Sequence, residues 1–205
     1  MRLSTILLVS IFFRCTGWAA VPKLPALIVD KKTNSLQLVQ FEDRTFNTLK
    51  TYHTTLGLVI GDKEREGDKK TPEGIYFFEE VRRPPNLLKK FGKMAITMNY
   101  PNPWDKLMHK TGSGIWLHAT NEPQRLSKDF DSLGCVVVKD DEIEELYSKI
   151  SYRVSPILVY DDFEKQKSLL SPERTLSIET FVREWAKNWE SKNLENYIAS
   201  YDTHF

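Results

Sequence analysis

Two short apolar runs constrain this chain more than any other feature. Gly114-Ile115-Trp116-Leu117-His118-Ala119 is followed, after a polar loop, by Ser132-Leu133-Gly134-Cys135-Val136-Val137-Val138. Ile115 to Leu117 reads as a buried strand that delivers His118 to a loop, and Val136 to Val138 as a second buried strand that begins at Cys135. Neighbouring strands would bring an imidazole and a thiol together, the minimal equipment for thiolate nucleophilic catalysis. A free thiol has a pKa of about 8.5, so only a few per cent is thiolate at neutral pH. An adjacent imidazole takes the proton and then holds the thiolate as an ion pair. Gly134 lets the backbone turn tightly before the nucleophile, and a backbone N–H beside Cys135 is placed to meet a developing oxyanion. Ser132 either hydrogen-bonds a substrate or steadies the loop.

The competing reading is structural. A lone cysteine is more often a small buried hydrophobe, and a lone histidine at a strand end a satisfied structural group. The compartment bears on the choice. Met1-Arg2, the apolar run Leu3 to Phe13 and the small residues near Ala19 and Ala20 read as a secretory signal peptide over residues 1–19, too short for a membrane span. Phe13 and Arg14 are too large to precede a lipoprotein cysteine at Cys15. Cleavage after Ala19 removes Arg2 and Arg14 and no acid, so the formal charge moves from +1 to −1. It also removes Cys15, leaving Cys135 without a disulfide partner in an oxidising compartment. There a lone thiol is a hazard unless it is deeply buried or useful.

The 205 residues suffice for one sizeable core with a small appendage, and the near-balanced charge gives no sign of nucleic-acid binding. Ala26–Val29 and Leu36–Phe41, joined by polar turn residues, predict a hairpin. Further strands are expected near Tyr52–Ile60, Ile75–Val81, Met94–Met98 and Ile157–Tyr160. Residues 61–70 are a charged loop. A short helix over residues 86–92 ending at Gly92, and another over 140–150, complete the set. Asn99 to Asp105 reads as a rigid aromatic loop, part packed turn and part cleft wall near His118, with Tyr100 as a substrate contact. Many short strands and few helices predict a mostly β domain of sandwich or barrel type, spanning residues 24–162. From Ser171 a capped helix begins, with an apolar stripe of Ile178, Phe181, Val182, Trp185 and Trp189; Leu194 to Tyr201 suggests a second short helix. This helical tail, residues 171–205, docks on the β domain or opens a further domain. His53, His109 and His204 lack a second ligand at metal spacing, so no metal site is expected.

Four segments carry a family resemblance. Leu27 to Lys31 with Leu36 to Leu38 resembles the first strands of the YkuD-type L,D-transpeptidase catalytic domain. Lys70-Thr71-Pro72-Glu73-Gly74-Ile75-Tyr76 is similar to its T-P-x-G turn, and Thr111 to His118 to its histidine strand. Ser132-Leu133-Gly134-Cys135 matches its S-x-G-C nucleophile signature. The resemblance implies a β-sandwich-like domain and a periplasmic enzyme that acts on peptidoglycan stem peptides without metal or cofactor. It implies attack on the diaminopimelate–D-alanine bond of a tetrapeptide, with Cys135 as nucleophile and His118 as base and later acid. The Ala119 carbonyl would orient the imidazole, and the backbone at Gly134 and Cys135 would form the oxyanion hole. An amine acceptor then gives a cross-link, and water a trimmed tripeptide. Other cell-wall proteins are possible partners.

Three positions depart from the family pattern: Ala119 and Leu133 replace its usual residues, and Val137 stands where an arginine is common. That arginine is a candidate carboxylate grip. Arg125 or Lys128 would have to substitute for it, although both read more simply as solvated surface charges. The Tyr100-Pro101-Asn102 loop and the Trp-rich tail resemble a subset from curved and helical Gram-negative bacteria. That subset trims tetrapeptides as L,D-carboxypeptidases, sets cell shape and carries a nuclear-transport-factor-two-like C-terminal domain. Two other expectations stay open: release of lipoprotein from murein by the same dyad, and a non-catalytic murein binder.

Overall fold

The computed structural model describes residues 24–42, 45–169 and 171–202. The expected signal peptide and the last three residues of the expected tail lie outside them. Ten strands and five α-helices follow in order: β1 Pro25–Asp30, β2 Ser35–Glu42, β3 Thr45–His53, β4 Leu56–Gly57, β5 Gly74–Arg82, β6 Ala95–Met98, α1 Pro103–Leu107, β7 Trp116–His118, β8 Phe130–Ser132, β9 Val136–Val137, α2 Asp140–Lys149, β10 Pro156–Tyr160, α3 Phe163–Ser168, α4 Pro172–Glu190 and α5 Leu194–Ile198.

Eight strands form one sheet in the order β3-β2-β1-β10-β5-β6-β7-β9, and β4 pairs with β8 in a separate parallel pair. β1 lies mid-sheet, covered on both faces, so its apolar residues are continuous rather than alternating. Leu27 and Val29 enter the main core, while Ala26 and Ile28 join a second cluster with Val39, Leu158 and Phe163. The edge strand β3 is mostly solvent-exposed and polar, as an unpaired edge requires. β5 serves both halves of the sheet. Its residues 74–77 pair with β10 and its residues 78–82 with β6, with a register shift between Phe78 and Val81 inside the second ladder. Such an irregularity bends a sheet. The main core joins residues from both halves, among them Leu36, Tyr76, Ile96, Leu117, Val136 and Val159, with Ile143 and Leu146 of α2. The expected mostly β, sandwich-like domain is therefore observed. Each fully buried Leu or Ile stabilises it by roughly 1.5–3 kcal/mol.

Local boundaries differ from expectation in identifiable ways. The strand expected at Tyr52–Ile60 begins at Thr45 and ends at His53, with β4 separate beyond it. The expected helix over 86–92 is only a 3-10 turn, Lys89–Phe91, ended by Gly92 in the left-handed region (φ 66°). The aromatic loop contains α1, which Asn102 and Asp105 start with a reciprocal capping box. Two further short elements, β8 and α3, were not anticipated.

One buried cation ties the opening hairpin to the Thr71-Pro72 turn. Lys31 Nζ donates to the carbonyls of Gly61 (2.7 Å) and Thr71 (3.1 Å) and to Glu73 Oε1 (2.7 Å). The tail behaves differently. Ser171 caps α4 by accepting from the Arg174 amide, and Tyr197 of α5 packs on Trp189 of α4 at 4.9 Å. Yet Ile178, Phe181, Val182 and Trp189 all remain more than half exposed.

Candidate active site

The imidazole and the thiol arrive on adjacent parallel strands. β7 pairs with β9 in the register Leu117 to Val136 and His118 to Val137. Cys135, one residue before β9, follows that register opposite Trp116. In a strand, residues two apart share a face. His118 and Cys135 therefore sit on one face, diagonal to each other across the two strands.

His118 is buried, 3% exposed, with Phe91 set edge-on against its ring at 4.9 Å. Burial drives its pKa down from 6.5 to about 4, and the fields of Arg125 and Lys90 push the same way. The ring is therefore neutral at physiological pH. Its Nδ1 lies 2.5 Å from the Ala119 carbonyl. A carbonyl only accepts, so Nδ1 carries the hydrogen and Nε2 presents a bare lone pair.

Cys135 is half-buried rather than sealed. Its Sγ donates to the Gly114 carbonyl at 3.5 Å. Burial pushes the thiol up to about 11, opposed by a backbone hydrogen bond from Trp116 and by the charges of Arg125 and Lys90. The resting pair is thus a neutral thiol with a neutral imidazole. The ion pair expected from the sequence is not the ground state, because both members are desolvated.

The loop ahead of the sulfur is held from two sides. Gly134 has φ 124°, and a Cβ there would lie 2.6 Å from the Lys70 carbonyl and 2.9 Å from Ile115 Cδ1. Only glycine fits this approach of the Thr71-Pro72 turn to the nucleophile loop. Ser132 is buried, and its hydroxyl accepts from the Gly134 amide (3.1 Å) and donates to the Cys135 carbonyl (2.7 Å). Of its two expected roles the geometry favours steadying the loop. Because the Gly134 N–H is engaged by Ser132, the expectation that it helps form an oxyanion hole is corrected; the Cys135 N–H is the candidate donor of this turn.

Tyr100 also needs correction. It is 5% exposed, set edge-on to Tyr76 at 5.9 Å, with its hydroxyl donating to the Thr111 (3.2 Å) and Lys63 (3.4 Å) carbonyls. A side chain so enclosed belongs to the core and not to a substrate surface. Conversely, nothing in the sequence points to Phe91 and Lys90 as neighbours of the pair, and Arg125, which reads more simply as a solvated surface charge than as a substitute grip, is only 20% exposed. Lys90 Nζ lies 4.9 Å from the Phe91 ring, and Arg82 stacks over Trp116 at 4.9 Å. A cavity of about 370 Å³ opens elsewhere, between α4 and α5 at Trp189, Leu194 and Tyr197. Among the described residues, no group of three or more His, Cys, Asp or Glu side chains is arranged to hold a metal ion.

The family model of the YkuD L,D-transpeptidase catalytic domain matches residues 25–159. The chain belongs to that family. Among solved structures it is similar to Bd1075 of Bdellovibrio bacteriovorus, with 32% identity and a TM-score of 0.69 over 89% of this chain and 64% of that one. It shares a fold with the helical cell shape determining protein Pgp2 of Campylobacter jejuni, at 22% identity and a TM-score of 0.68 over 88% of this chain and 61% of that one. YafK of Escherichia coli (strain K12), provisionally assigned as an L,D-transpeptidase, is 27% identical over 92 residues, 45% of this chain and 32% of YafK. The chain thus spans less than two thirds of each of these relatives. The YkuD match covers the histidine strand, the S-x-G-C loop and the Thr71-Pro72 turn that buttresses it. No described helix is long and apolar enough to cross a membrane.

Proposed function

We propose that the protein is an exported cysteine acyl-transfer enzyme of the murein layer, acting on the diaminopimelate–D-alanine bond of stem tetrapeptides. One observation carries this reading: the Nδ1–H to Ala119 carbonyl bond presents a bare His118 Nε2 on the face that holds a half-buried Cys135. Nε2 takes the thiol proton as Sγ attacks the amide carbon. The tetrahedral oxyanion accepts from the Cys135 N–H. The imidazolium then protonates the leaving D-alanine amine, and a thioester remains on Cys135. His118 next deprotonates the second nucleophile. Water yields the tripeptide; an amine yields a cross-link.

Trimming is favoured over cross-linking by the neutral Val137 and by the tail, whose exposed apolar stripe suits the opening of a nuclear-transport-factor-two-like unit. Trimming of this kind would bear on cell shape. Residues 1–19 are proposed as the export signal that places the site in the periplasm.

The test is Cys135→Ala against purified tetrapeptide muropeptides, with products read by mass spectrometry and with and without an amine acceptor. Wild type should release D-alanine, and the variant should fall at least about a thousandfold. A variant that trims or cross-links as well as wild type removes the reading. The raised thiol pKa also suits a second reading, a murein binder with an inert cysteine. It predicts that His118→Ala and Cys135→Ala bind sacculi as wild type does while no protein releases D-alanine.

A further inference from the structure

The 3-10 turn Lys89–Phe91 meets the site at two points. Gly92, which ends the turn, is the first. A Cβ on it would stand 2.7 Å from Ala119 Cβ and 2.8 Å from the Thr120 nitrogen. The Lys93 amide donates to Asp140 Oδ1 at the start of α2 (2.7 Å), and the Ala119 amide donates to the Met94 carbonyl (3.1 Å). The turn is thus seated on the segment whose carbonyl holds His118 Nδ1. Phe91 makes the second contact. Its ring spans Trp116 (4.8 Å, tilted by 51°) and His118 (4.9 Å, edge-on at 84°). Trp116 and His118, two apart on β7, share the face that holds Cys135. Two cations brace these rings: Lys90 Nζ over Phe91 and the Arg82 guanidinium over Trp116, each at 4.9 Å.

One hydrogen bond does not position an imidazole. The outer torsion of a histidine side chain is broad, without sharp staggered wells. The Nδ1–H bond to Ala119 fixes one ring atom and leaves the ring plane free to rock about it. Rocking displaces Nε2, the nitrogen that must meet the thiol. A ring packed edge-on opposes that motion, because aromatic pairs prefer this geometry. An aliphatic side chain of similar size fills the space without the directional preference.

We propose that Phe91 is a positioning residue for the His118 base: braced by Trp116, it fixes the imidazole plane so that the Nδ1–H tautomer persists and Nε2 stays presented to the thiol. The consequence for turnover rests on the acyl-transfer reading above; the effect on the ring does not.

The test compares Phe91→Leu, Phe91→Tyr and Trp116→Leu in the full chain, with nitrogen-15-labelled histidine. The two ring-nitrogen shifts of His118, identified by their loss in His118→Ala, report which nitrogen carries the hydrogen. Wild type and Phe91→Tyr should show the Nδ1–H form alone at neutral pH. Phe91→Leu should show a mixture with the Nε2–H form, and Trp116→Leu a smaller admixture. With tetrapeptide muropeptide, Phe91→Leu should lower kcat for D-alanine release by about ten- to a hundredfold with KM within about twofold. Phe91→Tyr should recover to within about threefold of wild type. A role in packing alone would lower the denaturation midpoint and move neither tautomer nor kcat. A wild type that already shows both tautomers overturns the proposal outright. Where wild type releases D-alanine, an unmoved tautomer or an unmoved kcat in Phe91→Leu overturns it as well. Where wild type releases none, a moved tautomer keeps the role of Phe91 while the stem-peptide reading falls, and an unmoved one overturns both. If Phe91→Leu does not fold, Trp116→Leu is read by the same rule.

Discussion

Leu117 and Phe181 are both large apolar side chains in well-formed elements, yet their surroundings are opposite. Leu117 lies in β7 between β6 and β9 with no exposed surface. Phe181 lies on α4 and is 51% exposed. The strand half of the molecule encloses a core of residues such as Leu27, Tyr76, Ile96 and Leu117 between its strands and α2. The tail gathers an equally apolar stripe that the described chain leaves largely in solvent. An amphipathic pattern therefore specifies that a face will be covered, not what covers it. Catalytic precision belongs to the first kind of region, where each side chain that positions the site is itself packed.

Three perturbations sharpen the contrast. Leu117→Ala should cost about 2–5 kcal/mol in chemical denaturation, whereas Phe181→Ala should stay within about 1 kcal/mol. Equal effects would show that the tail is packed as tightly as the sheet. Gly134→Ala comes next. Its Cβ would press on the Lys70 carbonyl at a φ that side chains rarely adopt, for about 1–3 kcal/mol of strain. D-alanine release should fall at least about a hundredfold while Phe181→Ala leaves it intact. The smallest effect is in the titration. With the thiol raised to about 11 and the imidazole neutral above about 4, iodoacetamide alkylation at Cys135 should climb steadily from pH 7 to 10. The sign follows because the reactive thiolate gains population as pH rises toward the thiol pKa. A plateau reached below pH 7 would mean a preformed thiolate–imidazolium pair.

The legible parts were those where chemistry and periodicity coincide. The short apolar runs at 115–117 and 136–138 announced two buried strands, and Ser132-x-Gly134-Cys135 announced the loop that Gly134 must turn. Ser171 announced α4. The start of β3 was illegible because Thr45 to Lys50 form an exposed edge without alternation. α1 was missed although Asn102-Pro103 and Asp105 are a helix-start signature, because a five-residue helix has no apolar period to confirm it. Tyr100 reads from sequence as a substrate contact because nothing in a linear chain shows that its hydroxyl meets the Thr111 carbonyl. Phe91, Lys90 and Arg125 reach the site only through the fold. Arg125 in particular reads as a surface charge until Asp131 is seen to hold it.

The most direct test of the central claim is the covalent state of Cys135 during turnover. The full chain mixed with tetrapeptide muropeptide, quenched in acid and mapped by mass spectrometry should carry the tripeptide acyl group on Cys135, removable by hydroxylamine, with D-alanine released in step. D-alanine release with no adduct on Cys135, undiminished in Cys135→Ala, would contradict it.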